Sequence, residues 1–215
     1  NLYLTGYFTG DIDGVLNLNA GGARYDILLA KLTSTGNFRW EKSFGAVGND
    51  VGYGVSVDGN DHIYMTGFFT PRADFGGGPI LTNGSKAAFL ASYNSAGNHR
   101  WSHSLGDDVG FALAHDPANN VYVTGRFSGP SDFGDITLTS KGYSDIFVSS
   151  FSSSGDYRWA KSWGGNGIGG DLGRALVFGT NGKLNLVGYI SETVNFGGGP
   201  IGAGFLDGFI LSIDP

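Results

Sequence analysis

The feature that most constrains this chain is that it repeats itself. Four segments, LYLTGYFTG (residues 2–10), IYMTGFFTP (63–71), VYVTGRFSG (121–129) and LNLVGYISE (184–192), align without a gap. Their shared glycines Gly6, Gly67, Gly125 and Gly188 stand 61, 58 and 63 residues apart. Three further sets keep the same step. DILLAKL begins at Asp26, with AAFLASY at Ala87, DIFVSSF at Asp145 and DGFILSI at Asp207. GNFRWEKSFG begins at Gly36, with GNHRWSHSLG at Gly97 and GDYRWAKSWG at Gly155. VGYGVSVD begins at Val51, with VGFALAHD at Val109 and LGRALVFG at Leu172. A fixed period of this length is the mark of an array of small supersecondary units. The units run 1–50, 51–108, 109–171 and 172–215, with three, four, four and three segments. The first lacks the VGYGV-type segment and the last lacks the Trp-bearing one.

Each segment alternates with period two, as strands do. Ile63, Met65 and Phe69 share one face, as do Val121, Val123 and Phe127, yet the opposite face carries Tyr64, Phe68 or Tyr122. A sheet apolar on both faces has to be covered on both. Small four-stranded antiparallel sheets stacked face to face around an axis meet that demand, so the reading is an all-β fold, a β-propeller of about four repeat units within a larger ring. The VGYGV-type segments carry small residues (Gly54, Ser56, Ala112, Ala114, Ala175), which suits the innermost strand, where neighbouring sheets converge. The edge at residues 2–9 is expected to need pairing from a further stretch of polypeptide or another chain, because open strand edges are avoided.

Composition narrows the function classes. Charged residues are 15% of the 215, the net charge is -6, and no run of Lys or Arg occurs, which argues against a nucleic-acid footprint. There is no Cys, so thiol chemistry and disulfides are excluded. No apolar stretch reaches the 18 or so residues of a membrane span.

In order, YVTGRF (122–127), DFGGGP (74–79), DIFVSSF (145–151) and GDYRWAKSWGG (155–165) resemble the bacterial seven-bladed β-propeller (SBBP) repeat. The likeness extends over nearly the whole chain. It implies a propeller in secreted or surface-exposed prokaryotic proteins, with binding or scaffold roles and no agreed catalytic residues. The first unit departs from the pattern, reading DIDGVLNLNAGG (11–22) where DFGGGP is expected.

The glycine runs ADFGGGPI (73–80) and VNFGGGPI (194–201), with SDFGDITL (131–138) between them, invite a phosphate-loop reading. Such a loop needs a following helix whose first amides face the anion. Here a strand follows, so the glycines are read as turn chemistry. Trp40, Trp101 and Trp159 recur at one unit position, each after an Arg (Arg39, Arg100, Arg158), and are read as mostly buried rings sealing neighbouring sheets, with the Arg over the ring or paired at the rim. Asp50, Asp108 and Asp171 precede the small-residue strand and are read as turn-closing acceptors. DIDG (11–14) offers too few oxygens for a calcium loop. His62, His99, His103 and His115 do not recur in a way that supplies three or four metal ligands, so no metal or other cofactor is expected. No catalytic constellation recurs either.

Departures between copies single out candidate ligand-binding residues. Tyr7, Phe68 and Tyr189 occupy one position where the third unit has Arg126, and Arg174 stands where other units have Tyr53 or Phe111. The preferred function is a non-enzymatic, extracellular or cell-surface scaffold. Its partner would be another protein, or further copies or segments completing the propeller. The alternative is a carbohydrate-binding propeller; an enzyme with an axial site is a third reading.

Overall fold

The computed structural model describes residues 1–10, 25–82, 84–202 and 204–215, and the DIDG segment lies outside them. The strands are β1 (Leu2–Phe8), β2 (Asp26–Leu32), β3 (Phe38–Phe44), β4 (Val51–Val57), β5 (Ile63–Phe69), β6 (Arg72–Asp74), β7 (Pro79–Leu81), β8 (Ala87–Tyr93), β9 (His99–Leu105) and β10 (Asp108–His115). They continue as β11 (Val121–Phe127), β12 (Pro130–Asp132), β13 (Thr137–Thr139), β14 (Asp145–Phe151), β15 (Tyr157–Trp163), β16 (Leu172–Phe178), β17 (Leu184–Ile190), β18 (Val194–Asn195), β19 (Pro200–Ile201) and β20 (Asp207–Ile213). There is no helix among the described residues.

Four antiparallel sheets result, ordered β1-β2-β3, β4-β5-β8-β9, β10-β11-β14-β15 and β16-β17-β20. Consecutive sheets pack face to face, and β4, β10 and β16 lie closest to one another across the stack. These are the blades of a β-propeller. The chain is all-β, as the two-faced apolar pattern requires.

Why both faces must be covered is plainest in β8 and β14, which are buried at every residue. Phe89 joins the core between blades one and two, with Ile27, Leu29, Ile63, Met65 and Phe75. Its neighbour Leu90 points the other way, into the core between blades two and three with Val123, Phe133 and Phe147. Ile146 and Val148 then meet Leu184, Leu186 and Phe209 between blades three and four. Each fully buried Leu or Phe stabilises by roughly 1.5–3 kcal/mol, so one strand contributes to two cores at once.

The structure adds six short strands that simple alternation does not announce. The glycine phrases are tight ribbons, β6-β7, β12-β13 and β18-β19, inserted between the second and third strands of a blade. Asp74 Oδ1 accepts the amides of Gly76 (2.8 Å) and Gly78 (3.1 Å), and Asn195 Oδ1 accepts those of Gly197 (2.8 Å) and Gly199 (3.2 Å). Gly76 and Gly78 sit at φ 109° and 102°, which explains why glycine stands there. Phe75 and Phe133 plug the cores beneath their ribbons and are fully buried.

Candidate functional site

The inner strand of each later blade contains one residue too many. β4 pairs with β5 through Gly52↔Gly67 and then Gly54↔Thr66, leaving Tyr53 as the bulged residue. β10 and β11 repeat this around Phe111, and β16 and β17 around Arg174. A bulge bends the strand and re-aims the extra side chain. It also crowds the backbone opposite. A methyl on Gly67, Gly125 or Gly188 would strike the carbonyl oxygen of Val51, Val109 or Leu172, whereas Gly6, in a blade without this strand, has open space. The recurring glycine is therefore the partner of the bulge.

The three bulge residues form a ladder across the blades. Tyr53 stands 5.3 Å from Phe111 and 6.1 Å from Phe68 between ring centroids. The Arg174 guanidinium lies 4.9 Å from the Phe111 centroid, a cation–π contact. Tyr53 is 45% exposed and Arg174 is also exposed, so the ladder is a surface.

Phe68 links this ladder to a charged cluster. Lys86 Nζ lies 5.4 Å from the Phe68 centroid and 2.7 Å from Asp108 Oδ1, while Arg126 Nε is 2.9 Å from Asp108 Oδ2. Both charged contacts are ion pairs without aligned hydrogen bonds. With Asp107, Ser128 and Tyr143, these groups line a cleft of about 210 Å³. Burial and the charge of Asp108 together hold the Asp107 carboxyl above its ordinary value.

Of the residues marked by departures between copies, Phe68, Arg126 and Arg174 come together through Tyr53, Phe111, Lys86 and Asp108. Tyr7 packs edge-on against Tyr25 at 4.9 Å, in the first blade. Tyr189 holds the same position in the fourth blade, half-buried and opposite Gly208. The turn-closing reading suits Asp50, which accepts the amides of Thr70 (2.7 Å) and Ala46 (3.2 Å). It suits Asp171 too, an acceptor for Gly165 (2.9 Å) and Ser191 (2.8 Å). Asp108 differs: it is the hub of the ion pairs with Lys86 and Arg126.

Trp40, Trp101 and Trp159 are partly buried at equivalent places on the outer strands, each packed against the core between two blades. Trp101 Nε1 donates to Ser153 O of the next blade at 3.1 Å. Two of the preceding arginines pair with neighbouring oxygens. Arg100 donates to Ser92 Oγ and Ser153 O, and Arg158 to Ser150 Oγ and Tyr122 OH. The cation over Trp159 is Lys161, at 4.7 Å.

His99 and His103 flank Trp101 on β9, and burial lowers both imidazoles' affinity for a proton. His103 Nε2 bonds Gly155 O at 2.8 Å. Among the described residues no three His, Cys, Asp or Glu side chains are grouped to hold a metal ion. No helix there is long and apolar enough to cross a membrane.

No protein-family model matches the chain. An uncharacterized WD repeat-containing protein of Acanthamoeba polyphaga mimivirus is 27% identical over 177 residues. The match takes in 72% of this chain but only 13% of that protein. This chain is thus similar to a WD repeat-containing protein, and spans a small part of that relative's length.

Proposed function

We propose that this chain is a non-enzymatic β-propeller scaffold that binds protein partners, with the bulge ladder as its recognition surface. The observation that carries it is the ladder itself. Three consecutive inner strands each use a bulge and a glycine to hold exposed Tyr53, half-buried Phe111 and exposed Arg174 in one row at the surface, and such aromatic and arginine anchors are what protein interfaces concentrate. The WD repeat-containing relative supports a propeller of this general kind. The repeat chemistry supports the finer assignment to the bacterial seven-bladed type, acting outside the cell.

Further blades, from the same polypeptide or another copy, would complete the stack. Ile210 is 82% exposed on the fourth blade, although its counterparts Leu29, Leu90 and Val148 are all buried by a following blade. A carbohydrate partner is the second reading, favoured by the exposed tyrosines Tyr7, Tyr25, Tyr53 and Tyr143.

A photo-crosslinking residue at position 53 tests the assignment. It should trap a discrete protein from the surface fraction of the source cells, and Arg174→Glu should abolish the adduct without changing the melting temperature. Binding to a glycan array that Tyr53→Ala removes, with no protein adduct, would transfer the function to carbohydrate.

A further inference from the structure

Two of the three blade junctions bury a pair of carboxylates. Between blades one and two, Asp26 begins β2 and Asp50 precedes β4; they are 5% and 0% exposed. Between blades three and four, Asp145 and Asp171 occupy the same places and are equally hidden. At the junction between blades two and three, Ala87 replaces the first acid, and Asp108 is met by the chain's own Lys86 and Arg126.

The first pair is the least satisfied. Both oxygens of Asp50 accept backbone amides, but Asp26 Oδ1 is buried and has no hydrogen-bond partner. The two carboxylates converge on Gly45, where an added methyl would collide with Asp26 Oδ1 and Asp50 Oδ2. Burying a carboxylate without a partner costs several kcal/mol, and a second anion beside it adds repulsion. At the other acid pair burial also holds the Asp145 carboxyl above its ordinary value, but amides of Lys141 (3.1 Å) and Gly142 (3.5 Å) and the Lys141 charge work against that rise. Among the described residues no such cation acts on Asp26, and its charged neighbour there is Asp50.

This pair is reachable. Asp26, Gly45, Ala46, Val47, Pro71 and Arg72 line a cleft of about 550 Å³ at the junction. We propose that this cleft seats a basic side chain of the protein partner, whose ammonium or guanidinium is neutralised by Asp26 and Asp50. Two features favour an organic cation over a metal ion. Calcium takes six to eight oxygens, and no third acidic or histidine ligand joins the pair among the described residues. The chain itself also uses a lysine and an arginine at the middle junction, where one acid stands alone. The proposal rests on the protein-binding reading but concerns a different surface from the ladder, so each can fail by itself.

The test is a titration of the intact chain, followed by amide NMR, with N-acetyl-lysine methylamide, N-acetyl-arginine methylamide, their neutral isostere N-acetyl-norleucine methylamide, and calcium chloride. The expected result is saturable shifts at the Gly45 and Ala46 amides with the lysine or arginine probe and none with norleucine. Asp26→Asn should weaken that binding at least about tenfold, as loss of a buried charge partner does, while Asp145→Asn leaves it unchanged. The comparison of lysine with norleucine needs no variant, so it decides the matter even if Asp26→Asn fails to fold. Equal shifts from norleucine, no saturation, or saturation by calcium in place of the organic cations would overturn the proposal. Saturation appearing only in Arg72→Ala would do so too, since the chain's own Arg72 would then be the occupant.

Discussion

Replacing Gly110 by Ala tests how the blades are held at their closest approach. Thr66 of β5 is fully buried, and its hydroxyl donates to Phe89 O at 2.6 Å. That same Oγ1 lies against the Cα of Gly110 in the next blade, where an added methyl would overlap it. The arrangement repeats at Thr5 with Gly52 and at Thr124 with Gly173. Two responses are open to Gly110→Ala. If Thr66 rotates away, a buried hydroxyl and the Phe89 carbonyl lose each other, at about 1–3 kcal/mol. If the blades shift apart, overpacking costs a similar 1–3 kcal/mol. Alanine gives back about 0.4–1 kcal/mol by restricting the unfolded chain, so the net loss is about 1–1.5 kcal/mol. Thr66→Ala alone should cost about 1–2 kcal/mol for the lost bond and the small void. In the double variant the new methyl occupies the space that the threonine vacated, and its cost should fall short of the sum of the two single costs by about 1 kcal/mol or more. Urea denaturation followed by tryptophan fluorescence measures all four corners of the cycle. Additivity within about 0.5 kcal/mol would refute the contact as the origin of the glycine requirement.

Trp101→Ala should cost about 2 kcal/mol, below the roughly 3–5 kcal/mol of a fully buried ring, because Trp101 is half-buried; thermal unfolding checks it. Arg126→Leu should destabilise by about 1–2 kcal/mol in the same assay, since it leaves the buried Asp108 with Lys86 alone, the guanidinium's partial exposure holding the loss below that of a fully buried pair. The Asp26–Asp50 pair gives a pH signature. Burial pushes both carboxyls up to about 6. Because these folded values lie above the unfolded value of 3.8, the pair costs nothing below pH 4, and its penalty grows through pH 4–6 to full size above pH 6. Asp26→Asn should therefore raise stability at pH 7–8, by up to roughly 3 kcal/mol at 1.36 kcal/mol per unit, and leave it unchanged near pH 3.5. Asp58 and Asp116 act in the opposite sense. Burial favours their neutral form, but donors including His62 N and Tyr64 OH for Asp58, and Asn120 Nδ2 and N for Asp116, outweigh it and hold both below 3.8. Their contribution is lost as pH falls below that value, so stability measured across pH 2–8 should show this acid-side decline equally in the parent and in Asp26→Asn.

What the sequence makes legible, and what it hides, divides along one physical line. Alternation exposes strands, and recurrence exposes blades, because both depend on residues close in sequence or at a fixed step. The glycine phrase is legible as a turn for the same reason: Asp74 reaches only two and four residues ahead. A bulge is different. Tyr53, Phe111 and Arg174 lie on strands that read as continuous, and only the cross-strand register shows each to be unpaired. The Lys86–Asp108–Arg126 cluster is hidden similarly, since its members belong to two blades and meet only once those blades pack.

The acid pairs were within reach of the alignment. Asp26 and Asp145 share a position that Ala87 vacates, in the one junction where Lys86 and Arg126 replace Tyr25 and Phe68. A charge reversal coordinated across three positions signals that those positions touch. It also explains how a costly pair can persist. A junction needing only cohesion would use the neutralised arrangement of the middle one, so an Asp26 that meets no cation among the described residues makes sense if the compensating charge comes from the partner. The same substitution should then move stability and binding in opposite directions. Asp26→Asn, more stable than the parent at neutral pH, should be the weaker binder of a basic side chain; if it is more stable and binds equally well, the pair is residual strain and the cleft beside it is not a seat for a cation.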